Sequence, residues 1–357
     1  MTARLTIKTV PLLFMLFVFS VAPSTTSSQP LPEAGGTEDG VSDAVSDFLK
    51  KQESRYRAFT ISILIKPQTP GPGGVVRAVA QGFGRNLSEE IIVWYKNGKE
   101  VFRGRGETTY DLTAGALGSE TTITASVIFP DGVVRSATET VRPSVVHLIW
   151  EAKTQVPPWY KGKAVPSPGS NIVVEAIPKL FFNGSPLDPD NLNYTWKINN
   201  QTQIHASGKG KHAIRFRADN IVGAVKNISL TVSSATGVVS ANGSISIPVY
   251  RPKVLLYKEE PLIGAKNENA LNTITVVSGE DALLRAEPFF FNKGAANNLE
   301  YTWRVNNDIV TGSQRSSPVL TLKTESGVSG EQGINVSVKN PENTFQTTNT
   351  LINAYVE

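Results

Sequence analysis

One block of sequence recurs three times in this chain, and this repeat constrains the fold more than any other feature. Each copy has a short apolar strand ending in alanine, then a strand centred on tryptophan, then a strand of alternating apolar residues. The first strand reads VVRA, VVEA or LLRA and ends at Ala78, Ala176 and Ala286. The tryptophans are Trp94, Trp196 and Trp303, which follow those alanines by 16, 20 and 17 residues. A period of about 100–107 residues with landmarks in one order predicts three copies of one domain.

The third strand of each copy has the pattern of a strand with one buried face and one wet face. Its apolar residues alternate with polar ones from Ile123, Ile228 and Ile334 onward. An inward-facing indole some 30 residues earlier would fill the space between two sheets packed about 10 Å apart. This order of landmarks is typical of an immunoglobulin-like sandwich. We therefore expect an all-β chain of three tandem sandwiches with one tryptophan in each core. The predicted domains are 57–143, 144–252 and 253–357.

The segments around the tryptophans resemble those of known surface domains. Asp188-Pro-Asp-Asn-Leu-Asn-Tyr-Thr-Trp196 is similar to the D-P-D-x-L-x-Y-x-W segment of PKD-type and cadherin-like bacterial surface domains. Asn298 to Trp303 is a shorter version, and Trp94-Tyr-Lys-Asn-Gly98 resembles ordinary immunoglobulin-type domains. Paired asparagines replace the Gly-Asp-Gly turn that usually follows the tryptophan in PKD domains. The resemblance implies immunoglobulin-like or PKD-like sandwiches of a bacterial surface protein over roughly residues 57–357, without a subfamily or ligand.

The first 24 residues have the features of a secretory signal peptide. Arg4 and Lys8 precede thirteen apolar residues, VPLLFMLFVFSVA. As a helix these span roughly 20 Å, short of the ~30 Å hydrocarbon core. Cleavage is expected after Ala22 or a few residues later. The alternative is an uncleaved anchor, in which case the chain would contact a membrane through this segment alone. Residues 25–56 are predicted to be a linker followed by a short amphipathic helix.

The composition excludes several classes of function. The chain has no cysteine, so it has no disulfide framework, thiolate metal site or cysteine nucleophile. An exported cysteine-free immunoglobulin-like protein indicates a bacterial origin, in the cell envelope or outside the cell. A net charge of +4 gives no reason to expect nucleic-acid binding. There is no G-x-S-x-G motif, and His147, His205 and His212 lack metal-ligand spacing. The sequence predicts neither an enzyme nor a cofactor.

The best cation candidates are Asp188, Asp190 and Asn191. Calcium binds several oxygen ligands on a tight loop, and these three residues occupy one predicted turn. The same residues are also ordinary turn formers. With two carboxylates and no counterpart in the other repeats, the turn interpretation is favoured and no metal is predicted.

Two segments at corresponding positions, Pro157–Lys163 and Tyr257–Gly264, combine bulky apolar side chains with Pro and Gly. They form either an aromatic binding patch or packing at the domain junctions, and packing is favoured. The first segment is expected at the boundary between domains one and two, and the second at the boundary between two and three. The side chains concerned are Trp159, Tyr160, Tyr257 and Leu262.

The sequence therefore predicts a non-catalytic exported protein, a scaffold or spacer for protein interaction or adhesion. Its partner would be an unidentified envelope or surface protein. Short linkers at Arg142-Pro143 and Arg251-Pro252 favour a semi-rigid array. The alternative is a carbohydrate-binding accessory protein in which Trp159 and Tyr160 contact a glycan. Exposure of this aromatic pair would favour the glycan, and burial would favour the scaffold.

Overall fold

The computed structural model describes residues 60–130, 132–295, 297–312 and 316–357. These residues belong to one compact unit, Phe59–Glu357, and are almost entirely strands and turns. The predicted signal peptide (1–24) and the predicted linker and helix (25–56) lie outside them. Within the described ranges, no helix has the length and apolarity needed to cross a membrane.

The first domain is a sandwich of a three-stranded and a four-stranded antiparallel sheet. Its strands are β1 (Thr60–Lys66), β2 (Val75–Phe83), β3 (Ile91–Lys96), β4 (Lys99–Arg105), β5 (Thr109–Thr113), β6 (Thr121–Ile128) and β7 (Val134–Val141). The sheet orders are β1-β2-β5 and β4-β3-β6-β7. Buried and half-buried residues alternate along all of β6, as its sequence pattern requires.

The second domain repeats this plan with additional short strands. Its strands are β8 (Val145–Ala152), β9 (Asn171–Lys179), β10 (Phe181–Phe182), β11 (Ser185–Pro186), β12 (Asn193–Ile198), β13 (Gln201–Thr202), β14 (Gly208–Lys209), β15 (Ala213–Arg217), β16 (Val225–Ser233) and β17 (Ser240–Pro248). The two main sheets are β8-β9-β15 and β13-β12-β16-β17, with β14 also paired to β12. Two 3-10 turns occupy Pro189–Asn191 and Ile204–Ala206.

In the third domain, the segment that corresponds to the first strand of the other domains forms two strands, one in each sheet. The strands are β18 (Lys253–Glu260), β19 (Gly264–Ala265), β20 (Thr273–Val276), β21 (Asp281–Phe289), β22 (Glu300–Val305), β23 (Asp308–Ile309), β24 (Val319–Lys323), β25 (Gly330–Lys339) and β26 (Thr347–Val356), with a 3-10 turn at Lys293–Ala295. The sheet orders are β19-β18-β21-β24 and β20-β26-β25-β22-β23. Strand β20 pairs in parallel with β26, whereas the other pairings of this domain are antiparallel.

Each sandwich contains a fully buried tryptophan at the centre of its own apolar core. Trp94, Trp196 and Trp303 have no exposed surface. A buried indole N–H needs an acceptor, and each one donates to a backbone carbonyl. The acceptors are Glu107 O at 2.9 Å, Lys211 O at 2.9 Å and Ser317 O at 2.8 Å.

The three cores are separate along the chain. The first ends at Val141 and the second begins at Val146, while the second ends at Val249 and the third begins at Val254. Together with the paired sheets, this confirms the predicted all-β architecture of three tandem immunoglobulin-like sandwiches.

The loops that matter for the junctions gather at the two ends of each sandwich. We call the end formed by the loops after the second strand and before the last strand the leading end. It comprises 84–90, 129–130 and 132–133 in the first domain, 180–192 and 234–239 in the second, and 290–295, 297–299 and 340–346 in the third. The trailing end is the opposite one. It comprises 67–74 and 114–120 in the first domain, 153–170 and 218–224 in the second, and 277–280 and 324–329 in the third.

Candidate functional site: the junctions between domains

Trp159 lies at the boundary between the second and third domains, so the predicted position of Pro157–Lys163 at the first boundary is wrong. Its ring packs edge-on against Tyr257, with centroids 5.2 Å apart, and against Phe289 at 6.0 Å. The reason is strand length. Strand β8 has eight residues, and at about 3.3 Å per residue it carries the chain the full height of the sandwich. The segment that follows β8 therefore belongs to the trailing end and meets the next domain.

Five rings, Trp159, Tyr160, Tyr257, Phe289 and Phe290, form what we call the aromatic cluster. Tyr160 lies 5.4 Å from Phe289 and 6.0 Å from Phe290, both edge-on. Tyr257 is buried, and burial raises the pKa of its hydroxyl, with a further contribution from Glu287. Edge-to-face pairs add about 0.5–1.5 kcal/mol each beyond the area they bury. Trp159 and Tyr160 are half-buried by these contacts, so the pair is engaged in packing.

The backbones of the two domains pair directly beside the aromatic cluster. Gln155 N donates to Phe291 O, and Phe290 N donates to Gln155 O, both at 2.7 Å. Lys293 N donates to Lys153 O at 3.0 Å, and the intervening residues form an isolated β-bridge. A short antiparallel pairing thus joins the trailing end of the second domain to the leading end of the third.

A buried glutamine connects the same two ends through its side chain. Gln346 has no exposed surface. Its Nε2 lies within hydrogen-bond distance of Ser167 Oγ (2.8 Å), Pro168 O (3.0 Å) and Asn292 Oδ1 (2.8 Å). Its Oε1 accepts from Asn340 Nδ2 at 2.8 Å and from Asn292 N at 3.1 Å. Buried amides in a satisfied network specify one arrangement, because any displacement leaves a polar atom unpaired.

The junction between the first and second domains contains the Glu120 carboxylate. Glu120 Oε1 accepts from Asn183 N at 2.9 Å and from Arg142 Nε at 3.0 Å. These two donors, Arg142 first, lower the pKa of the Glu120 carboxyl. The Arg142 guanidinium also lies 5.4 Å from the Phe182 ring centroid. Asn242 Nδ2 donates to Thr69 Oγ1 at 3.0 Å. Arg142 and Glu120 both belong to the first domain, so their ion pair positions the carboxylate that Asn183 of the second domain contacts.

The predicted packing of Leu262 at a junction is wrong. Leu262 is fully exposed, and Ile263 is three-quarters exposed. Tyr257 of the same segment does lie at the second junction, but β18 continues past it into a hairpin with β19. The three strand residues after Tyr257 extend about 10 Å, which takes the hairpin tip away from the junction and into solvent.

The acidic turn of the second domain is engaged in local capping. Asp188 Oδ1 accepts from Asp190 N, and Asp188 Oδ2 accepts from Asn191 Nδ2, both at 3.1 Å. This is the hydrogen bonding of an Asx-capped turn. Within the described residues, no three His, Cys, Asp or Glu side chains are grouped so as to hold a metal ion.

A phenylalanine recurs at or next to the leading end of each domain and was not among the predicted site residues. It stands five residues after the repeat alanine, at Phe83, Phe181 and Phe291. Phe181 lies over Gly118 of the first domain, and Phe291 O is an acceptor in the second junction. Comparing the residues after VVRA, VVEA and LLRA would have identified this position from sequence, although the Phe291 ring is buried in the core of its own domain.

Comparison with known proteins does not assign the chain to a family. No protein-family model matches the chain, and no curated protein is similar to it in sequence. Among solved structures, the three N-terminal domains of the highly immunogenic outer capsid protein of bacteriophage RB49 are 13% identical, with 84% of this chain and 99% of that chain covered and a TM-score of 0.25. Fibronectin(III)-like modules of Clostridium thermocellum CbhA are 13% identical, with 53% and 94% covered and a TM-score of 0.27. A Bacteroides ovatus protein of a mixed-linkage glucan utilization locus, SGBP-B, solved with a heptasaccharide, is 13% identical, with 83% and 70% covered and a TM-score of 0.19.

Proposed function

We propose that this chain is a non-catalytic, exported scaffold or spacer of the bacterial cell envelope or surface. It holds or separates other surface components through a semi-rigid array of sandwiches, in protein interaction or adhesion. The observation that carries the proposal is the second junction, where backbone pairing, the Gln346 network and the aromatic cluster act together.

A spacer must resist bending between its domains, and linked domains move by default unless their interface is large and well packed. The second junction supplies directional restraint through three backbone hydrogen bonds and a buried amide. The aromatic cluster adds apolar contact to the same interface.

Export is part of the proposal and is supported by the sequence alone. Arg4, Lys8 and the apolar run behind them have the order of a signal peptide. The absence of cysteine from a chain of immunoglobulin-like domains supports a bacterial envelope or extracellular location.

Carbohydrate binding is the weaker candidate. A sugar-binding platform offers a free ring face, whereas the Trp159 and Tyr160 rings contact Tyr257, Phe289 and Phe290. The half-buried state of the pair favours the scaffold over the glycan.

Distance measurement between spin labels tests the proposed rigidity. The chain has no cysteine, so Ile149→Cys and Leu351→Cys, both exposed positions, label the second and third domains uniquely. We expect one narrow distance distribution, which Gln346→Ala broadens because it removes the buried network. Gln201→Ala, an exposed glutamine of the second domain, is the matched control and should leave the distribution narrow.

A distance distribution in the unmodified protein as broad as that of Gln346→Ala would contradict the spacer proposal. A narrow distribution unaffected by Trp159→Ala, together with loss of binding to an immobilised glycan in that variant, would favour the carbohydrate function instead.

A further inference from the structure

One outer sheet face of the third domain is covered by the second domain. On β21, Arg285, Glu287 and Phe289 alternate with core residues, so their side chains share this outer face. On the neighbouring strand β18, Tyr257 lies opposite Arg285. The buried rings of Tyr257 and Phe289 are the two that the Trp159 ring contacts. Since Glu287 lies between these two positions along the strands, Trp159 spans the row that Glu287 occupies.

Glu287 shares its nearest cation with a second carboxylate. Arg285 donates two hydrogen bonds to the Glu259 carboxylate, at 2.5 and 2.6 Å between nitrogen and oxygen. Arg285 Nε lies 3.8 Å from Glu287 Oε1, beyond hydrogen-bond distance. The Glu287 side chain is only 20% exposed. One guanidinium thus faces two carboxylates, and Glu287 carries the unbalanced charge.

The other titratable groups of the third domain around Glu287 do not balance this charge. The hydroxyls of Tyr257 and Tyr301 approach from β18 and β22. Burial raises the pKa of both, that of Tyr301 to about 12, and the charge of Glu287 contributes to each rise. Lys253, the cation diagonally opposite on β18, is exposed, so water screens its charge.

The second domain covers this face with rings and not with a counter-ion. Trp159 and Tyr160 supply the rings. Of the two lysines that follow them, Lys161 is exposed, and Lys163 Nζ lies 3.3 Å from the centroid of the Trp150 ring in its own domain. An apolar cover removes water from an ionised carboxylate without compensating its charge, which is unfavourable.

The sign of the resulting pH dependence follows from the pKa of Glu287. Burial raises this pKa, the charge of Arg285 lowers it by less, and the charge of Glu259 raises it further. An open junction returns water to the carboxyl, whose pKa then moves toward the ordinary value of about 4.3. A carboxyl with the higher pKa in the closed junction stabilises closure when it is protonated. This stabilisation is fully present below about pH 4.3 and is lost as the pH rises through the raised pKa.

We propose that Glu287 makes the second junction responsive to acid, with the Trp159 loop held more tightly against the third domain when the Glu287 carboxyl is protonated than when it is ionised. The proposal rests on one unbalanced carboxylate in the face that Trp159 covers. It concerns the regulation of the junction, goes beyond the scaffold function and does not depend on it.

Hydrogen exchange of two amides that cross the junction tests the proposal in the full chain. Phe290 N donates to Gln155 O and Lys293 N donates to Lys153 O, so both amides are released when the domains separate. After correction for the intrinsic exchange rate, we expect their protection to rise about threefold or more from about pH 7.5 to about pH 4.5, since one unit of pKa difference corresponds to about a tenfold change in the opening equilibrium.

Glu287→Gln has the shape of the protonated carboxyl and does not titrate. We expect this variant to show high protection of both amides at neutral pH and to lose the pH dependence. Glu300→Gln, which replaces an exposed glutamate of the same domain, is the matched control and should behave like the unmodified protein. A pH dependence that Glu287→Gln retains would overturn the proposal, and so would protection in the unmodified protein that does not change with pH.

NMR titration of the Glu287 carboxyl tests the role of the cover and leaves the carboxylate itself in place. The proposal expects a higher pKa for Glu287 in the unmodified protein than in Trp159→Ala, because the alanine exposes the carboxyl to water. An equal pKa in the two proteins would mean that the third domain alone buries Glu287, and the junction would then not respond to its protonation.

Discussion

Three asparagines hold the turn that follows the tryptophan strand in the three domains. Asn97, Asn199 and Asn306 have φ values of 50°, 48° and 47°, in the left-handed region that two-residue hairpin turns require. Each Oδ1 accepts the backbone N–H of a residue at the start of the alternating strand. The donors are Thr122 at 2.9 Å, Asn227 at 3.0 Å and Gly333 at 2.8 Å. Asparagine thus both tolerates the backbone conformation and ties the turn to the neighbouring strand.

Replacing Asn199 with alanine should destabilise the second domain by about 1–3 kcal/mol, since it removes the hydrogen bond and leaves an unfavourable φ. Asn199→Gly is the control, because glycine removes the conformational cost and loses only the hydrogen bond, about 1 kcal/mol. Hydrogen exchange of the β12 and β16 amides during denaturant titration measures the loss of stability in both variants. Equal effects of the two variants would contradict the conformational part of the argument.

A second residue-scale prediction concerns alkaline pH. Burial, with Asp190 and then Asp188 nearby, raises the pKa of Tyr194 to about 12. An unfolded tyrosine titrates near pH ~10. Because the folded pKa is the higher one, the stabilisation is fully present below about pH 10 and is lost as the pH rises toward about 12. The thermal midpoint should fall more steeply over this range in the unmodified protein than in Tyr194→Phe. Parallel curves of thermal midpoint against pH would show that Tyr194 does not contribute to the loss of stability at alkaline pH.

At the scale of elements, strand length decides which loops meet which domain. Strand β8 spans the sandwich, so the loop after it belongs to the second junction. Strand β9 runs back, so the β10–β11 hairpin after it reaches the first domain, where Asn183 N donates to Glu120. The domain that a loop contacts is therefore set by the length of the strand before it, at about 3.3 Å per strand residue.

Gly169, on the trailing loop between β8 and β9, provides a test at this scale. Its φ is +67°, and a β-carbon there would lie 2.8 Å from Asn343 Nδ2 and 2.9 Å from Asn220 Oδ1. Gly223 has a φ of +85° but open space around it. Both substitutions to alanine should cost about 1–2 kcal/mol through the backbone, whereas only Gly169→Ala should disturb the second junction. We expect faster hydrogen exchange of the Phe290 and Lys293 amides in Gly169→Ala and not in Gly223→Ala. Equal exchange rates in the two variants would contradict this prediction.

At the scale of the whole molecule, the two junctions differ in strength. The second contains three backbone hydrogen bonds and a buried amide, whereas the first is crossed by one backbone hydrogen bond, from Ser144 N to Pro70 O, and by single bonds to the side chains of Thr69 and Glu120. A hydrogen bond to a partly exposed acceptor contributes little, whereas separation of domains two and three would leave several buried polar atoms of one network unpaired. Domains two and three should therefore unfold as one unit, and domain one separately.

Tryptophan truncation checks this coupling by calorimetry. Trp303→Ala should cost about 3–5 kcal/mol, as for other fully buried indoles, and lower the transition that domains two and three share. Trp94→Ala should lower only the transition of the first domain. Three transitions that shift independently would show that the second junction does not couple its domains.

The repeat in the sequence determined the fold class, because alternation with period two specifies which face of a strand is buried whatever lies around it. Ile123, Ile228 and Ile334 could be assigned to buried faces, and the three tryptophans to cores, from spacing alone. The turn asparagines also depend on local sequence, because the left-handed backbone of a two-residue turn is a local requirement.

Only the tertiary structure decided the junctions. Trp159 belongs to the second boundary and Leu262 to the solvent, although both stand in segments of similar composition. Their surroundings depend on where preceding strands end in space, and one or two residues of strand length change which domain a loop meets. Gln346 has no local pattern that marks it as buried, because its partners Ser167 and Pro168 lie almost 180 residues earlier and approach only after both domains have folded.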